Sequence, residues 1–272
     1  MTPTPERSAA GAYDVLAPVY DDFTSHHDYE LWIGNLTPAL RRHGLKGNRL
    51  LDVACGTGKS FLPMLERGWE VTACDISPPM LAQARAKAGD AAQLSLADMR
   101  RLPTFGEFDL VWALGDALNY QYGFEELTDS LRGMGANLAP SGLLLFDVNG
   151  LVQFRRFFAG AEVIERDGRQ LIWRGQMPAD LPAGSVCKAR FEVAPLPGED
   201  GAVETDVHRQ RHHPEGKVLR ALAEAGLECL DVFGHGYDTV LEQPFDDLFH
   251  TKAIYIARRE HPRQDSNLRP AA

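Results

Sequence analysis

The sequence has no apolar run long enough to cross a bilayer, no block of like charge and no internal repeat. The first absence removes a membrane-spanning helix and leaves a globular chain, read as soluble with no membrane partner. Its 28 Lys and Arg against 38 Asp and Glu give a formal charge of −10, and the basic residues are scattered. That pattern excludes a broad phosphate-backbone footprint, so no nucleic-acid partner is expected. The four cysteines, Cys55, Cys74, Cys187 and Cys229, form no Cys-x-x-Cys pair. The opening MTPTPERSAAG lacks the charged-then-apolar order of a secretory signal, so a cytoplasmic location with inert, reduced thiols is expected. His26-His27 and His212-His213 are sequence neighbours that would point to opposite faces of an extended strand, and no metal is assigned.

What is present is an alternation of strand and helix. Apolar positions at helical spacing (Leu16, Val19, Phe23, then Trp32, Leu36, Leu40) predict two short helices before the core. Strands are expected at Arg49–Cys55, Glu70–Cys74, Gln93–Ala97, Phe108–Ala113 and Gly142–Val148. Helices are expected at Ser60–Arg67, Pro79–Lys87 (capped by Ser77) and Glu125–Leu138. This order predicts a parallel sheet covered on both faces. After Asn149 two hairpins are expected, Glu162–Arg166 with Arg169–Arg174 and Val186–Val193 with Val203–Gln210. A helix at Lys217–Ala225 and strands at Leu227–Phe233 and Lys252–Arg258 then close the core. The expected divisions are a frayed 1–12, lid helices and α/β core over 13–150, an inserted β subdomain over 151–213, completion of the core over 214–259, and a frayed 260–272.

The first strand ends in LDVACGTGKS, which has the Gly-Lys-Ser of a triphosphate loop but Val53 where that loop needs its first glycine. Read as a dinucleotide turn from Gly56, the third glycine is replaced by Phe61. Asp52, at the carboxyl end of the strand, would repel phosphate and suit a cationic ligand. Gly56 and Gly58 let backbone approach a ligand closely, and Asp75 at the end of the second strand is placed to accept from both hydroxyls of a ribose. The ligand reads as a nucleoside with a positive charge and no phosphate.

In order and spacing, LDVACGTG, CDIS with PPMLAQAR, LADMRRLP and FDLVWALGDALNY resemble the motifs of class I S-adenosylmethionine-dependent methyltransferases. The segment YDVLAPVYDDFTSHHDY resembles the lid of small-molecule members, the glycine and amino-sugar N-methyltransferases above all. The resemblance implies an α/β fold with a doubly wound, mostly parallel, seven-stranded Rossmann-like sheet and an inserted small antiparallel β subdomain. It implies S-adenosyl-L-methionine as cofactor. Asp52, Ala54, Gly56, Thr57 and Gly58 would shape the floor under the methionine part, and Asp75 would hold the ribose. Ile76 and Met80 would pack on the adenine, with Asp98 and Met99 at its edge. Ala113 and Asn119 would line the methionine end, and Tyr20 and Tyr29 would close over it. Lys59 reads as a solvated residue of the first helical turn.

The sulfonium is an activated methyl donor, so alignment with a nitrogen or oxygen of a small-molecule acceptor and exclusion of water would be the main tasks. Tyr20 and His208 are the candidate catalytic residues, with Asp116, His212 and His213 as further possible bases. For His208, an exposed strand exit is the plain competing explanation. The insert would serve as acceptor platform or as a homodimer contact. The other two function classes are an NAD-dependent oxidoreductase, disfavoured by Phe61 and Asp52, and a non-catalytic adenosyl-ligand-binding interaction protein.

Overall fold

The computed structural model describes residues 11, 13–236 and 239–260; the frayed ends expected at 1–12 and 260–272 lie outside these, Gly11 and Glu260 apart. The lid comprises α1 (Tyr20–Phe23) and α2 (Tyr29–Arg42), the latter capped by Asp28, whose carboxylate accepts from the Leu31 amide. The core follows as β1 (Arg49–Val53), α3 (Leu62–Glu66), β2 (Glu70–Asp75), α4 (Pro78–Ala88), β3 (Ala92–Leu96), β4 (Phe108–Ala113), α5 (Phe124–Ala136) and β5 (Leu138–Asn149). Next come α6 (Leu151–Phe157), the strands β6 (Ala161–Arg166), β7 (Arg169–Gly175), β8 (Val186–Pro195) and β9 (Glu204–Arg211), then α7 (Glu215–Glu224), β10 (Leu227–His235), β11 (Leu241–Glu242) and β12 (Lys252–Arg259).

The main sheet has eight strands in the order β11-β10-β12-β5-β4-β1-β2-β3. Neighbours from β5 through β3 pair in parallel, while β12 lies antiparallel between β5 and β10. The strand order reverses between β1 and β4, and an open α/β sheet binds its ligand in the crevice beyond the carboxyl ends at such a point. Leu50, Leu110, Leu143, Leu145 and Ile254 face one helical layer; Leu51, Val111, Leu144 and Tyr255 face the other, all buried. Burial on both faces is why these strands read as continuous apolar runs. Among the described residues no helix is long and apolar enough to cross a membrane.

The second sheet, β6-β7-β8-β9, is antiparallel throughout. Its inner face and α6 make an apolar cluster with the lid, in which the Phe23 ring meets Phe191 edge-on at 5.1 Å and stacks on Trp173 at 6.4 Å. Trp173 is buried and donates its indole N–H to the Phe157 carbonyl. Two elements are absent from the sequence-based expectation. The strand β11 is a two-residue edge with no periodicity to read. The helix α6 does carry a signal, Leu151, Phe154 and Phe158 along one face, but it is short and adjoins the insert.

Asp52 sits in β1 with its carboxylate sealed in the core. Ser60 donates to it at 2.5 Å, and burial nevertheless pushes it up to about 7. It therefore faces the start of the α3 segment, and the expectation that it meets a ligand's ammonium is corrected. The folded protein holds this proton to higher pH than the unfolded chain, whose Asp titrates near 3.9. The stabilisation is thus fully present below about pH 4 and fades as pH rises through 7, by up to about 4 kcal/mol. Urea unfolding of wild type and Asp52→Asn across pH 4 to 8, a range chosen to span roughly both titrations, tests this. Wild type should lose stability relative to the variant as pH rises, and parallel curves would refute the assignment.

Candidate active site

Two cavities meet beyond the carboxyl ends of the parallel strands. The first, about 910 Å³ counting its open mouth, is walled by the loops after β1, β2, β3 and β4. At its centre Asp75 is held by two backbone amides, Gly56 N–H to Oδ2 and Ser77 N–H to Oδ1, each at 2.8 Å. Gly56 has φ +55, and open space lies where its Cβ would stand, so the turn offers bare backbone to the cavity. Burial raises the Asp75 carboxyl while the amides of Ser77, Gly56 and Ile76 pull it down, and the residue lines the cleft. Ile76, Met80 and Met99 form its apolar wall, and Ala54, Cys55, Gly56 and Thr57 its floor. Asp98 lies at the edge, engaged by the Arg100 guanidinium at 2.6 Å, which holds its carboxyl below the usual carboxylate range.

An adenosine needs an acceptor for its diol, an apolar slot for its base and polar atoms at the slot's edge. Asp75, the Ile76–Met80–Met99 wall and the Asp98 turn supply these in sequence along one cleft, so S-adenosylmethionine fits the residues present. Four expected residues are placed differently. Asp52 lies in the core beneath the cleft. Gly58 is absent from the lining, and its lack of a Cβ serves packing instead, since one would stand 2.8 Å from the Phe61 ring. Ala113 is sealed in β4. Asn119 is buried and bridges elements, donating to the Arg211 carbonyl at 2.8 Å and accepting the Asn149 N–H at 2.9 Å.

The lid is latched over this cleft by polar contacts. Thr57 Oγ1 donates to Asp21 Oδ1 and Lys87 reaches Asp21 Oδ2, each at 2.5 Å. Lys59 is half-buried rather than solvated, because its ammonium donates to the Thr24 carbonyl at 2.6 Å and hydroxyl at 3.0 Å. A lysine beyond the glycine turn therefore holds the end of α1.

The second cavity is a chamber of about 2380 Å³, counting its open mouth, between the lid, the inserted sheet and the β4 exit loop. Tyr13, Tyr20, Tyr29, Tyr120 and Gly115 line both cavities. Burial first, then nearby carboxylates led by Asp116, raise the Tyr20 phenol far above its ordinary range, so it is a neutral hydroxyl and no base. His208 is buried rather than at an exposed strand exit; its Nδ1 meets the Tyr120 hydroxyl at 2.9 Å. Desolvation lowers it to about 3, which keeps the ring neutral and removes it as a general base near neutral pH. His212 and His213 are structural: the first takes the Gly184 N–H on Nδ1 and meets Asp247 through Nε2, and the second meets the Leu118 carbonyl.

Asp116 apart, the residues that build the β4 side of the chamber were not foreseen. The β4 exit runs through two left-handed residues, Gly115 at φ +85 and Asp116 at φ +58. Their N–H groups donate to Asp147 at 2.7 and 2.9 Å. Lys252 joins Asp147, Asp116 and Asn149, and Gln210 donates to Asp116. An acid inside the apolar run LLLFDV was the available signal, because a buried carboxylate needs partners.

Comparison with known proteins bears on the same elements. A methyltransferase-domain family matches residues 50–142. A Bacillus subtilis (strain 168) protein whose name places it among methyltransferases, YqeM, is 33% identical over 241 residues, covering 87% of this chain and 95% of that protein. The glycine/sarcosine N-methyltransferase of Parasynechococcus marenigrum (strain WH8102) is 29% identical over 231 residues, covering 82% of this chain and 74% of that one. In three dimensions, an S-adenosylmethionine-dependent methyltransferase from Clostridium acetobutylicum superposes with a TM-score of 0.75 at 21% identity, over 92% of this chain and 99% of that chain. With these likenesses the chain belongs to the methyltransferase family and is an enzyme, and its cleft has the residues that suit S-adenosylmethionine as methyl donor.

Proposed function

We propose that the protein methylates a nitrogen of a small-molecule amine, with the cofactor in the first cleft and the acceptor in the chamber. The observation that carries this is the continuity of the two cavities through Tyr13, Tyr20, Tyr29, Tyr120 and Gly115. The carboxylate of Asp116 at the chamber end of that passage favours an amine over an anion. The name of the glycine/sarcosine N-methyltransferase relative agrees with nitrogen as the acceptor atom.

In this reading Asp75 holds the ribose, Ile76, Met80 and Met99 hold the base, Asp98 meets its edge, and Ala54, Gly56 and Thr57 carry the amino-acid end. Asp52, Gly58, Ala113 and Asn119 act at one remove, by shaping the elements that line the cleft. When bound, S-adenosylmethionine supplies a methyl group on a sulfonium sulfur that leaves as a neutral thioether. The chain's own work is alignment and exclusion of water. Tyr20 and Tyr29 stand at the junction as neutral phenols, able to offer oxygen lone pairs without carrying charge. Neither Tyr20 nor His208 takes a proton at neutral pH, so the amine must react as its free base, the proton having left it beforehand.

The same reading keeps the protein in the cytoplasm, where Cys55, Cys74, Cys187 and Cys229 stay free as they are here. It assigns the exposed Val163 and Val207 of the insert to a homodimer contact, and nucleic acid no part.

Three measurements follow. Asp75→Asn should weaken S-adenosylmethionine binding in a calorimetric titration by about 2 kcal/mol, roughly thirtyfold in Kd, on loss of charge-assisted hydrogen bonds. Unchanged affinity would remove Asp75 from the ribose. Asp21→Ala frees Thr57 and Lys87 from the lid and should raise the cofactor off-rate about fivefold by stopped flow, the scale of about 1 kcal/mol. An unaltered off-rate would mean that the latch does not control access. Tyr20→Phe should keep cofactor affinity and lower methyl transfer to amines; equal turnover would leave Tyr20 a packing residue.

A further inference from the structure

At the chamber end of the tyrosine passage two carboxylates share one ammonium. Lys252 uses all three of its N–H donors there, on Asp147 Oδ2 at 2.6 Å, Asn149 Oδ1 at 3.2 Å and Asp116 Oδ1 at 3.3 Å. The cluster is therefore one cation short. Its two acids are not equivalent. The Asp147 side chain is 0% exposed and already accepts Gly115 N–H, Asp116 N–H and the Lys252 ammonium. The Asp116 side chain is 26% exposed and accepts only the Gln210 amide at 2.5 Å and the longer Lys252 contact. A carboxylate offers about four acceptor positions, so about two of those on Asp116 are unused, and Asp116 lines the chamber. Burial raises its carboxyl and Lys252 only partly offsets that, as befits an acid short of counter-charge.

A second, independent feature marks the chamber as a place for a ligand. His208 and Gln210 project from the same face of β9, two residues apart along the strand. His208 is 1% exposed, lines the chamber, and among the described residues has its Nε2 without a hydrogen-bond partner. A buried polar atom left unpaired is costly, so a surface so built is provisioned for polar contacts that packing does not supply.

We propose, building on the amine reading above, that the acceptor is bound as a cation, its ammonium against the free acceptor positions of Asp116 and its carbon body among Tyr20, Trp32, Phe157 and Trp173, and that the Asp116 carboxylate takes the ammonium proton before the freed nitrogen lone pair attacks the methyl and the sulfonium leaves as a thioether. The other formal charges of the lining, Arg156 against Asp28 and Glu162, add no excess of cation. About 850 Å³ of the chamber is open to a ligand, within the ordinary pocket range of roughly 300–1,000 Å³ and near its upper end, so there is room for an amine with a body larger than glycine. Lys252, with every donor committed, cannot answer an acceptor's carboxylate or phosphate. The class is a bulky primary or secondary amine, not an amino acid bound through its carboxylate.

The test uses the full-length protein loaded with S-adenosylhomocysteine and titrated with three ligands of one indole body: tryptamine, tryptophol and indole-3-acetate. Tryptamine should bind at least tenfold more tightly than tryptophol, with indole-3-acetate weakest. Asp116→Asn should abolish the tryptamine preference and leave the affinities for tryptophol and S-adenosylhomocysteine as they are. Equal binding of tryptamine and tryptophol to wild type, no binding of tryptamine, or a preference that survives Asp116→Asn would overturn the inference. The wild-type comparison stands even if the variant fails to fold. Loading is read separately: protein that takes up S-adenosylhomocysteine but shows no ammonium preference sinks the Asp116 inference alone. Protein that does not load sinks the cofactor-cleft reading beneath it as well.

Discussion

A carboxylate buried in an apolar strand is tolerated only if its charge is met by donors, and Asp147 meets that demand by tying two distant parts of the chain to its own strand. The amides of Gly115 and Asp116 come from the β4 exit, the ammonium of Lys252 from the start of β12, and Asp147 itself from the middle of the sheet. Because the donors must converge on one point, the exit loop has little freedom. Asp116 is held in a left-handed conformation that a non-glycine residue adopts at some cost, and so is fixed at the junction of the two cavities. The antiparallel position of β12 between β5 and β10 is what brings Lys252 into reach, with Lys252 opposite Asn149 in the register. Removing Asp147 would leave Lys252 short of its nearest partner and two amides unpaired, so the acceptor wall and the sheet's closure stand or fall together.

The inserted sheet answers that centre from the other side. Along β9, Asp206, His208 and Gln210 face inward and are buried, while Val207 on the other face is 40% exposed, the reverse of the usual alternation. Each inward residue has a distant partner. Asp206 takes the lid amides of Val15 and Leu16, His208 meets Tyr120, and Gln210 meets Asp116. A net contribution of about 1 kcal/mol per bond is small, but an unmet donor or acceptor costs more, so the row selects one seating of insert on lid and core. The apolar contacts of Phe23 with Phe191 and Trp173 supply adhesion, and the polar row supplies position.

How much of this could be read in the sequence follows from the range of the contacts involved. The parallel strands declare themselves because burial on both faces leaves them few polar residues. The Gly56–Asp75 cleft was legible because one ligand chemistry constrains residues close in the chain. Asp52 defeated the same reasoning. Its place in the strand was right, but which way a strand residue points decides whether it meets a ligand or, as here, Ser60 eight positions on. The family resemblance implied that Asn119 lines the cleft, yet its partners are Arg211 and Asn149, and no local pattern encodes separations of 92 and 30 residues. For His208 the sequence suggested an exposed strand exit, because an inverted strand reads as a solvated one. The helix α6 had its apolar face in view and was missed for being short.

These two kinds of legibility match two kinds of construction. Cofactor recognition depends on backbone amides and a carboxylate set by turns within single β-α units, so it tolerates change elsewhere in the fold. In the proposed reading, acceptor recognition would draw on side chains from the lid, β4 exit, insert and β12, all of which line the chamber. At the boundary stand four tyrosines rather than acids or lysines. A charged group there would either attract the cationic cofactor out of its cleft or repel it, and a charged group so deeply buried would need a partner of its own. Burial keeps the phenols of Tyr13, Tyr20, Tyr29 and Tyr120 protonated, so the passage is polar enough to orient reactants and uncharged throughout. Charge is displaced to Asp116, one step into the chamber, where in the proposed reading it would select the acceptor without competing for the cofactor.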